Sequence, residues 1–337
     1  MIDLSYIGSF QRGTLFRSEN PLEELWAQIG RIGTPEYAGS LIPNKPDLDW
    51  EKHAKYASVR IRQALELRKS TSGTSLLTKP ILLYYSFLNL LRAFMAITPK
   101  IIPKPKHGLI FKPNNQFLLN EAELADGTFT EFLAATGTAW EKGTRLSLSQ
   151  ALCKIPEIAY EFKSPDRGPS GVWAARVSAK MGSHSVLLHF DQQVVDEETF
   201  RASWGQELPK LNDLYELQPT GITLGLKEEQ QPKDYEGLCE LCEKTMLNRL
   251  LWGYDPTWYV LRLKEGEQEF PRAGYYFIAL FILGSIARYQ PELLLSGLPP
   301  GSEPEWFFNR FMQAAERFFP QLMWSWGQNA QTYFLGL

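Results

Sequence analysis

The chain has few cysteines, and its most apolar stretch is shorter than a bilayer-spanning helix. Three cysteines in 337 residues are too few for the disulfide framework of a small secreted domain. The longest apolar stretch, residues 273–287, has 15 residues, whereas a spanning helix needs about 20. The N-terminus lacks a basic segment followed by an apolar run, so no signal peptide is visible. We therefore expect a soluble, cytoplasmic protein without a membrane partner.

The sequence also lacks the motifs that mark common catalytic, cofactor and metal sites. It contains no GxxxxGKS/T, GxGxxG, HExxH or GxSxG, so neither an enzyme nor a cofactor is indicated. Cys239 and Cys242 form a single CxxC, and without a second pair they are better explained as structural cysteines than as zinc ligands. His184 and His189, five positions apart, would point to opposite faces of a strand. No metal site is expected.

Charge is distributed unevenly along the chain. Residues 1–115 carry 16 basic and 9 acidic side chains, a balance of +7, whereas residues 116–337 carry 19 and 29, a balance of −10. A basic stretch with only one acid, Glu66, contains twelve cationic residues: Lys52, Lys55, Arg60, Arg62, Arg68, Lys69, Lys79, Arg92, Lys100, Lys104, Lys106 and Lys112. Clustered cations attract polyanions by counterion release and long-range attraction. Nucleic acid or a nucleotide is therefore one expected partner.

Part of the basic stretch forms a predicted ridge. Four of its cations follow one stripe of a predicted helix and two lie on the proline-rich segment that comes after the next helix: Lys52, Lys55, Arg62, Lys69, Lys104 and Lys106. Two alternatives stay open, because the same residues are typical of an ordinary solvated surface or of a dock for the acidic C-terminal part.

Apolar spacing predicts a helical core interrupted by a mixed segment. Long helices are predicted in the first and last thirds at 49–69, 80–97, 238–251, 273–289 and 304–318, the last ended by Pro320. The middle favours helices at 120–135 and 148–161 and strands at 108–112, 171–177, 185–190 and 221–226. The predicted class is α+β, mainly α, with a helical core built from the first and last thirds and a mixed α/β insertion. The parts are residues 1–112, 113–233 and 234–337, forming one composite domain.

A polar row on the apolar helix at 80–97 is the first candidate site. Tyr85, Asn89 and Arg92 are spaced by four and three residues, which places them on one narrow face. A guanidinium on such a helix needs acceptors, so the row could hold a phosphate or a carboxylate at the lip of a cleft. The alternative is that Arg92 pairs with an acid of the core and fixes helix packing.

The end of the second apolar helix is the other candidate. Arg288, Tyr289 and Glu292 follow its small residues Gly284 and Ser285, which permit close approach of a neighbouring helix. If the two apolar helices are neighbours, these residues and the polar row form one anion-binding pocket. Alternatively, Arg288 only complements the dipole at the helix C-terminus.

The chain resembles the YaaC-like family, which is bacterial and largely uncharacterised. The resemblance is carried by a KPxLxYYxxLNLxxA segment at 79–93, an xxRYxPE segment at 287–292 and the closing segment at 320–334. It covers the first and last thirds and implies a shared fold rather than a known activity.

The helix at 80–97 is also similar, more distantly, to helices of HEPN domains, many of which are ribonucleases or nucleotide-binding modules of defence systems. HEPN nucleases carry an Arg, then four to six residues, then a His. Here the next His after Arg92 is His107. The resemblance therefore implies a non-cleaving relative.

The leading hypothesis is a non-catalytic module that binds nucleic acid or a nucleotide, in a bacterial antiviral defence system as the resemblance implies. A protein–protein adaptor is the second, with aromatic hot spots from the C-terminal third: Trp306, Phe307, Phe308, Phe311, Phe318, Phe319, Trp324 and Trp326. A HEPN-derived nuclease or another enzyme acting on a phosphorylated substrate is the third.

Overall fold

The computed structural model describes residues 2–3, 13–42, 48–164, 167–180, 185–190, 196–219, 221–232, 234, 237, 241, 258–263, 266–328 and 331–335. Its α-helices are α1 (Pro21–Arg31), α2 (Pro35–Ser40), α3 (Trp50–Lys69), α4 (Lys79–Ile97), α5 (Thr128–Ala135), α6 (Leu148–Cys153), α7 (Ala159–Phe162), α8 (Glu197–Glu207), α9 (Pro209–Asn212), α10 (Arg272–Tyr289), α11 (Pro291–Gly297) and α12 (Glu303–Gln328). Its strands are β1 (Ile2–Asp3), β2 (Gly13–Arg17), β3 (His107–Lys112), β4 (Glu121–Gly127), β5 (Arg145–Ser147), β6 (Val172–Lys180), β7 (Ser185–Phe190), β8 (Tyr215–Leu217), β9 (Thr223–Leu226), β10 (Trp258–Leu261) and β11 (Gln331–Leu335). The predicted α+β class, mainly α, is confirmed.

Local sequence signals explain the two long helices of the first third. The Asp49 carboxylate caps α3 by accepting from the backbone N–H of Lys52 at 3.1 Å. The helix buries a stripe at near-helical spacing: Ala54, Ala57, Ile61 and Ala64. Pro80 lies in the first turn of α4, where its missing N–H leaves no intrahelical bond unmade. Almost every later side chain of α4 is buried, as its composition predicts.

The two apolar helices α4 and α10 pack directly against each other. At Gly284 the backbones come so close that an added Cβ would lie 3.4 Å from the Pro80 carbonyl oxygen. The Tyr84 ring packs on Phe277 and Phe281, with centroid separations of 5.3 and 5.5 Å. The polar row of α4 and the C-terminal end of α10 therefore lie close together.

The chain divides into two compact units. The helical unit comprises residues 15–152, 164–167 and 270–337, and the sheet unit comprises 1–14, 153–163 and 168–269. The sheet unit contains an antiparallel sheet of order β1-β6-β7-β9-β8, with β10 also pairing β6. Its core includes Trp173, Leu188, Phe200 and Leu224. The helical unit contains the sheet β3-β4-β5, and β11 pairs β2.

The prediction of a helix at 120–135 is wrong for the first half of that range. Residues Glu121–Gly127 form β4, in which Ala122 and Leu124 are buried while the acids alternate toward solvent. Glu123 contacts Lys112 on β3 and Arg145 on β5, at 3.1 and 2.9 Å. Cross-strand pairs of opposite charge stabilise a sheet, so tertiary pairing overrides the local helix signal.

Two other helix boundaries also differ from the prediction. The helix predicted at 148–161 is broken into α6 and α7, separated by a 3₁₀ turn that begins at Pro156. Conversely, Pro320 does not end the last helix, because α12 continues to Gln328. Burial of Phe319, Met323 and Trp324 on either side of the proline offsets the lost backbone hydrogen bond.

Some predictions fall on residues outside the described ranges. These are the helix at 238–251, the CxxC of Cys239 and Cys242, and His184. Among the described helices, α4 is long and apolar enough to span a bilayer by composition. However, 83% of its apolar window is buried inside the protein, as is typical of a core helix of a soluble protein.

Candidate anion-binding site

Arg92, the central residue of the predicted polar row, is buried on α4. Only 8% of its surface is exposed. Its Nε donates to the Thr128 hydroxyl at 3.1 Å, and an Nη donates to the Pro105 carbonyl at 2.6 Å. Neither acceptor carries charge, and Arg92 makes no ion pair within the part of the chain that the structure describes. The alternative of pairing with a core acid is therefore not what this part of the structure shows.

A close crossing of two glycines fixes the acceptors of Arg92. Gly127 precedes α5 with φ +155°, and an added Cβ there would lie 2.5 Å from the backbone nitrogen of Gly108. Gly108, at φ +86°, is equally crowded, since its Cβ would lie 2.8 Å from the Phe129 nitrogen. Thr128 follows Gly127, and its hydroxyl lies 3.0 Å from the carbonyl oxygens of Lys104 and Lys106. The hydroxyl proton is thus directed to a carbonyl, and a lone pair is left for Arg92.

Arg60 of α3 and Arg288 of α10 join the same polar row. Arg60 Nη1 donates to Asn89 Oδ1 at 3.1 Å, and Asn89 Nδ2 donates to the Tyr85 carbonyl at 2.9 Å. Arg288 Nη1 donates to the Tyr85 hydroxyl at 2.8 Å. The same guanidinium also donates to the Gly284 carbonyl at 3.1 Å. Side chains from the three helices α3, α4 and α10 therefore form one hydrogen-bond network.

His107, at the start of β3, lies beside the polar residues of α4 and packs against α10. Its Nδ1 is 2.5 Å from the Tyr84 hydroxyl, and its ring stacks on Tyr84 with centroids 5.7 Å apart. Burial lowers the pKa of His107, and the charges of Arg92 and Arg288 lower it further. Burial raises the pKa of Tyr84, so the phenol keeps its proton. The imidazole is therefore neutral near pH 7 and adds a polar, uncharged group beside the guanidiniums.

The cluster contains cations without counter-ions. Arg60, Arg92 and Arg288 make no ion pair with any described acid, whereas Arg68 and Arg145 in the same unit each contact two carboxylates. Burial lowers the pKa of Arg92; nearby Tyr56 opposes this shift, and the charge of Arg60 adds to it. Because desolvated cations without counter-ions are unfavourable, this arrangement is suited to receiving an anion.

The remaining predicted pocket residues occupy the outer edge. Tyr289 is 67% exposed, and its ring stacks on Phe111 with centroids 6.4 Å apart. The Arg288 guanidinium lies 5.1 Å from the centre of the Tyr289 ring. Glu292 on α11 is exposed and forms no ion pair with the described residues.

The predicted ridge is only partly continuous with this cluster. Lys52 and Lys55 line a shallow groove of about 380 Å³ with Tyr56, Val59, Arg60 and Gln63. Arg62 and Lys69 are exposed but do not line that groove. Arg62 lies about 160° from Arg60 around α3. It donates to the Gly33 carbonyl at 2.7 Å, on the opposite border of the helix.

The two ridge lysines on the segment after α4 differ in their contacts. Lys104 Nζ lies 3.7 Å from Glu131, although 64% of its side chain is exposed. Lys106 is exposed, and its backbone carbonyl takes part in the Thr128 contacts. Both flank Pro105, whose carbonyl binds Arg92.

Two residues of the site, Arg60 and His107, are not among those that the sequence predicts. Arg60 belongs to the basic stretch and lies at the border of the buried α3 stripe, four residues from Tyr56. Its guanidinium lies 5.0 Å from the centre of the Tyr56 ring. The border position of Arg60 can be read from the sequence. No sequence pattern indicates His107, because only the crossing of Gly108 and Gly127 brings it next to α4.

No curated protein and no solved structure matches the chain. The family model described as YaaC-like Protein matches residues 37–326, which include every residue of the cluster. The resemblance expected from the segments at 79–93 and 287–292 is confirmed, and the chain belongs to the YaaC-like protein family.

Proposed function

We propose that the helical unit binds a phosphate-bearing ligand, nucleic acid or a nucleotide, without catalysing its conversion. The observation that carries the proposal is the cluster of Arg60, Arg92 and Arg288, whose hydrogen-bond acceptors are uncharged and which have no described carboxylate partner. Guanidinium groups present forked donors that match phosphate oxygens. Arg60 and Arg288 are half-buried at the edge, so their donors are within reach of a ligand.

The groove on α3 supports a ligand larger than a single phosphate. Lys52 and Lys55 extend the positive charge outward from Arg60, and Val59 and Tyr56 add apolar surface between them. Lysines beside an aromatic ring are typical of surfaces that follow a sugar-phosphate backbone. A strand anchored at the arginines would therefore continue along this groove.

The cellular setting is part of the same proposal. The similarity of α4 to HEPN helices favours a role in bacterial antiviral defence, in the cytoplasm. A nuclease or another enzyme acting on a phosphorylated substrate is the alternative within that setting, because neutral His107 lies beside the arginines. We favour binding alone because no described acid accompanies His107 in the cluster.

The adaptor alternative has less support from side-chain burial. Most of the aromatic residues proposed as hot spots pack inside the helical unit: Phe307, Phe308, Phe311, Phe319 and Trp324. Trp306 is 55% exposed, and Phe318 and Trp326 are half-buried. One exposed and two half-buried aromatics are a small surface for a stable protein complex.

The test is a binding titration with single-stranded RNA, single-stranded DNA and duplex DNA at two salt concentrations. The variant is Arg60→Gln/Arg288→Gln, and the charge-matched control is Arg31→Gln/Arg145→Gln in the same unit. We expect salt-sensitive binding that the variant loses and the control retains. Absence of binding at low salt, or equal loss in both double variants, would refute the proposal. A complex with a protein from the native host that survives nuclease treatment would then favour the adaptor.

A further inference from the structure

We infer that Tyr289 is a stacking platform for an unpaired nucleobase and that the ligand is therefore single-stranded. This inference rests on the proposed function, because it assigns the base that accompanies the phosphate bound beside Arg288. It adds a chemical class of ligand that the arginine cluster alone does not define.

The Tyr289 side chain is held in place although most of it is exposed. Phe111 of β3 supports the ring in a near-parallel arrangement, at an interplanar angle of 27°. The Arg288 guanidinium contacts the same ring. With these two contacts made, 67% of the residue remains accessible. An ordered aromatic ring loses little conformational freedom when a second ring stacks on it.

The platform and the phosphate donor are adjacent. Arg288 contacts the rings of both Tyr85 and Tyr289, at 5.5 and 5.1 Å from their centres. One nucleotide can therefore place its phosphate at the guanidinium and its base on Tyr289. The exposed ring is not explained by packing of the core, since Tyr289 lies beyond the buried part of α10.

Stacking of this kind discriminates between single strands and duplexes. A base within a duplex is stacked between its neighbours, so a protein ring on the surface meets it only after it is unstacked and unpaired. Base–aromatic stacking in single-strand binding proteins corresponds to an affinity change of roughly 5-fold to 150-fold per base. Duplex DNA would therefore make only the phosphate contacts, without the stacking contact on Tyr289.

The probes that test this inference are a short single-stranded RNA and an abasic sugar-phosphate oligomer of the same length and charge. Their affinities are measured by fluorescence anisotropy for the wild type, Tyr289→Phe, Tyr289→Ala and the control Tyr160→Ala. Tyr160 suits the control because it is 64% exposed but lies in the sheet unit. We expect the wild type to prefer RNA by about 5-fold to 150-fold. Tyr289→Phe and Tyr160→Ala should keep that preference, and Tyr289→Ala should reduce it to near unity.

The outcomes separate this inference from the proposed function. If the wild type binds both oligomers equally, or if Tyr289→Ala keeps the preference, the stacking platform is refuted while phosphate binding stands. If the wild type binds neither oligomer at low salt, the proposed function fails, and the inference fails with it.

Discussion

Replacing Arg92 by methionine tests whether this buried cation serves the fold or a ligand. Removing one partner of a buried ion pair costs about 3 to 5 kcal/mol, because the other charge is left alone. Arg92 has no such partner among the described residues, and its acceptors are neutral. Thr128 keeps its carbonyl contacts, and Pro105 is exposed, so its carbonyl can bind water. Methionine preserves the apolar stem. We therefore expect Arg92→Met to lower the free energy of unfolding by less than about 2 kcal/mol.

A bound ligand should raise the Tm of the wild type more than that of Arg92→Met. A ligand at 100 times its Kd stabilises the folded state by about 2.7 kcal/mol. For a unit the size of the helical one, this corresponds to a rise in Tm of roughly 5 to 10 °C. Arg92→Met should lose most of that rise. The matched control Arg145→Met, which removes an exposed and ion-paired guanidinium, should retain it.

The assay is urea and thermal unfolding followed by far-ultraviolet circular dichroism, with and without a short single-stranded oligonucleotide. A loss of more than about 3 kcal/mol in the ligand-free variant would show that Arg92 acts as a structural charge. An equal ligand-induced rise in Tm for the wild type and Arg92→Met would also refute the reasoning, since the buried guanidinium would then contribute nothing to binding.

Three further perturbations test the surroundings of the cluster. The lowered pKa of His107 means that the unfolded chain takes up a proton more readily, so stability should fall as pH decreases below about 6.5. His107→Gln should flatten that part of the stability–pH curve, and equal slopes for both proteins would contradict the assignment. Gly127→Ala should lower the free energy of unfolding by roughly 3 kcal/mol or more in urea titrations, because its Cβ meets backbone atoms at 2.5 and 2.7 Å; a near-neutral result would mean that the crossing relaxes. Lys52→Ala/Lys55→Ala should reduce the slope of log affinity against log salt for single-stranded RNA by about 1.4. The control for that titration is a lysine pair that contacts acids: Lys112→Ala/Lys142→Ala. An unchanged slope in the first double variant would exclude the groove.

Periodicity predicted the elements whose burial is encoded along one stretch of chain. The helices α3, α4 and α10 were expected within a residue or two, because their apolar faces and terminal prolines are local signals. The strand β4 was missed because its charges are stabilised across the sheet, by residues distant in sequence. The continuation of α12 through Pro320 likewise depends on tertiary burial.

The candidate site was predictable only to the extent that it lies on those helices. Tyr85, Asn89 and Arg92 share a face by helical spacing alone, and the structure brings Arg288 to that face. Whether α4 and α10 touch could not be read from one sequence, since Gly284 permits close approach without specifying the neighbour. His107 is positioned by the crossing of two glycines that are distant along the chain.

The placement of acids in the helical unit gives the strongest reason to expect an anionic ligand. The chain has 38 Asp and Glu residues against 35 Lys and Arg, so acids are not scarce. Elsewhere in the same unit they are used, as when Arg68 binds both Glu23 and Glu316. A structural role for Arg92 would be served by an acid at the end of its side chain, where a hydroxyl and a carbonyl lie instead. Neutral acceptors orient a guanidinium without cancelling its charge. The attraction for an external anion is thus preserved, at a cost in stability that the bound ligand would offset.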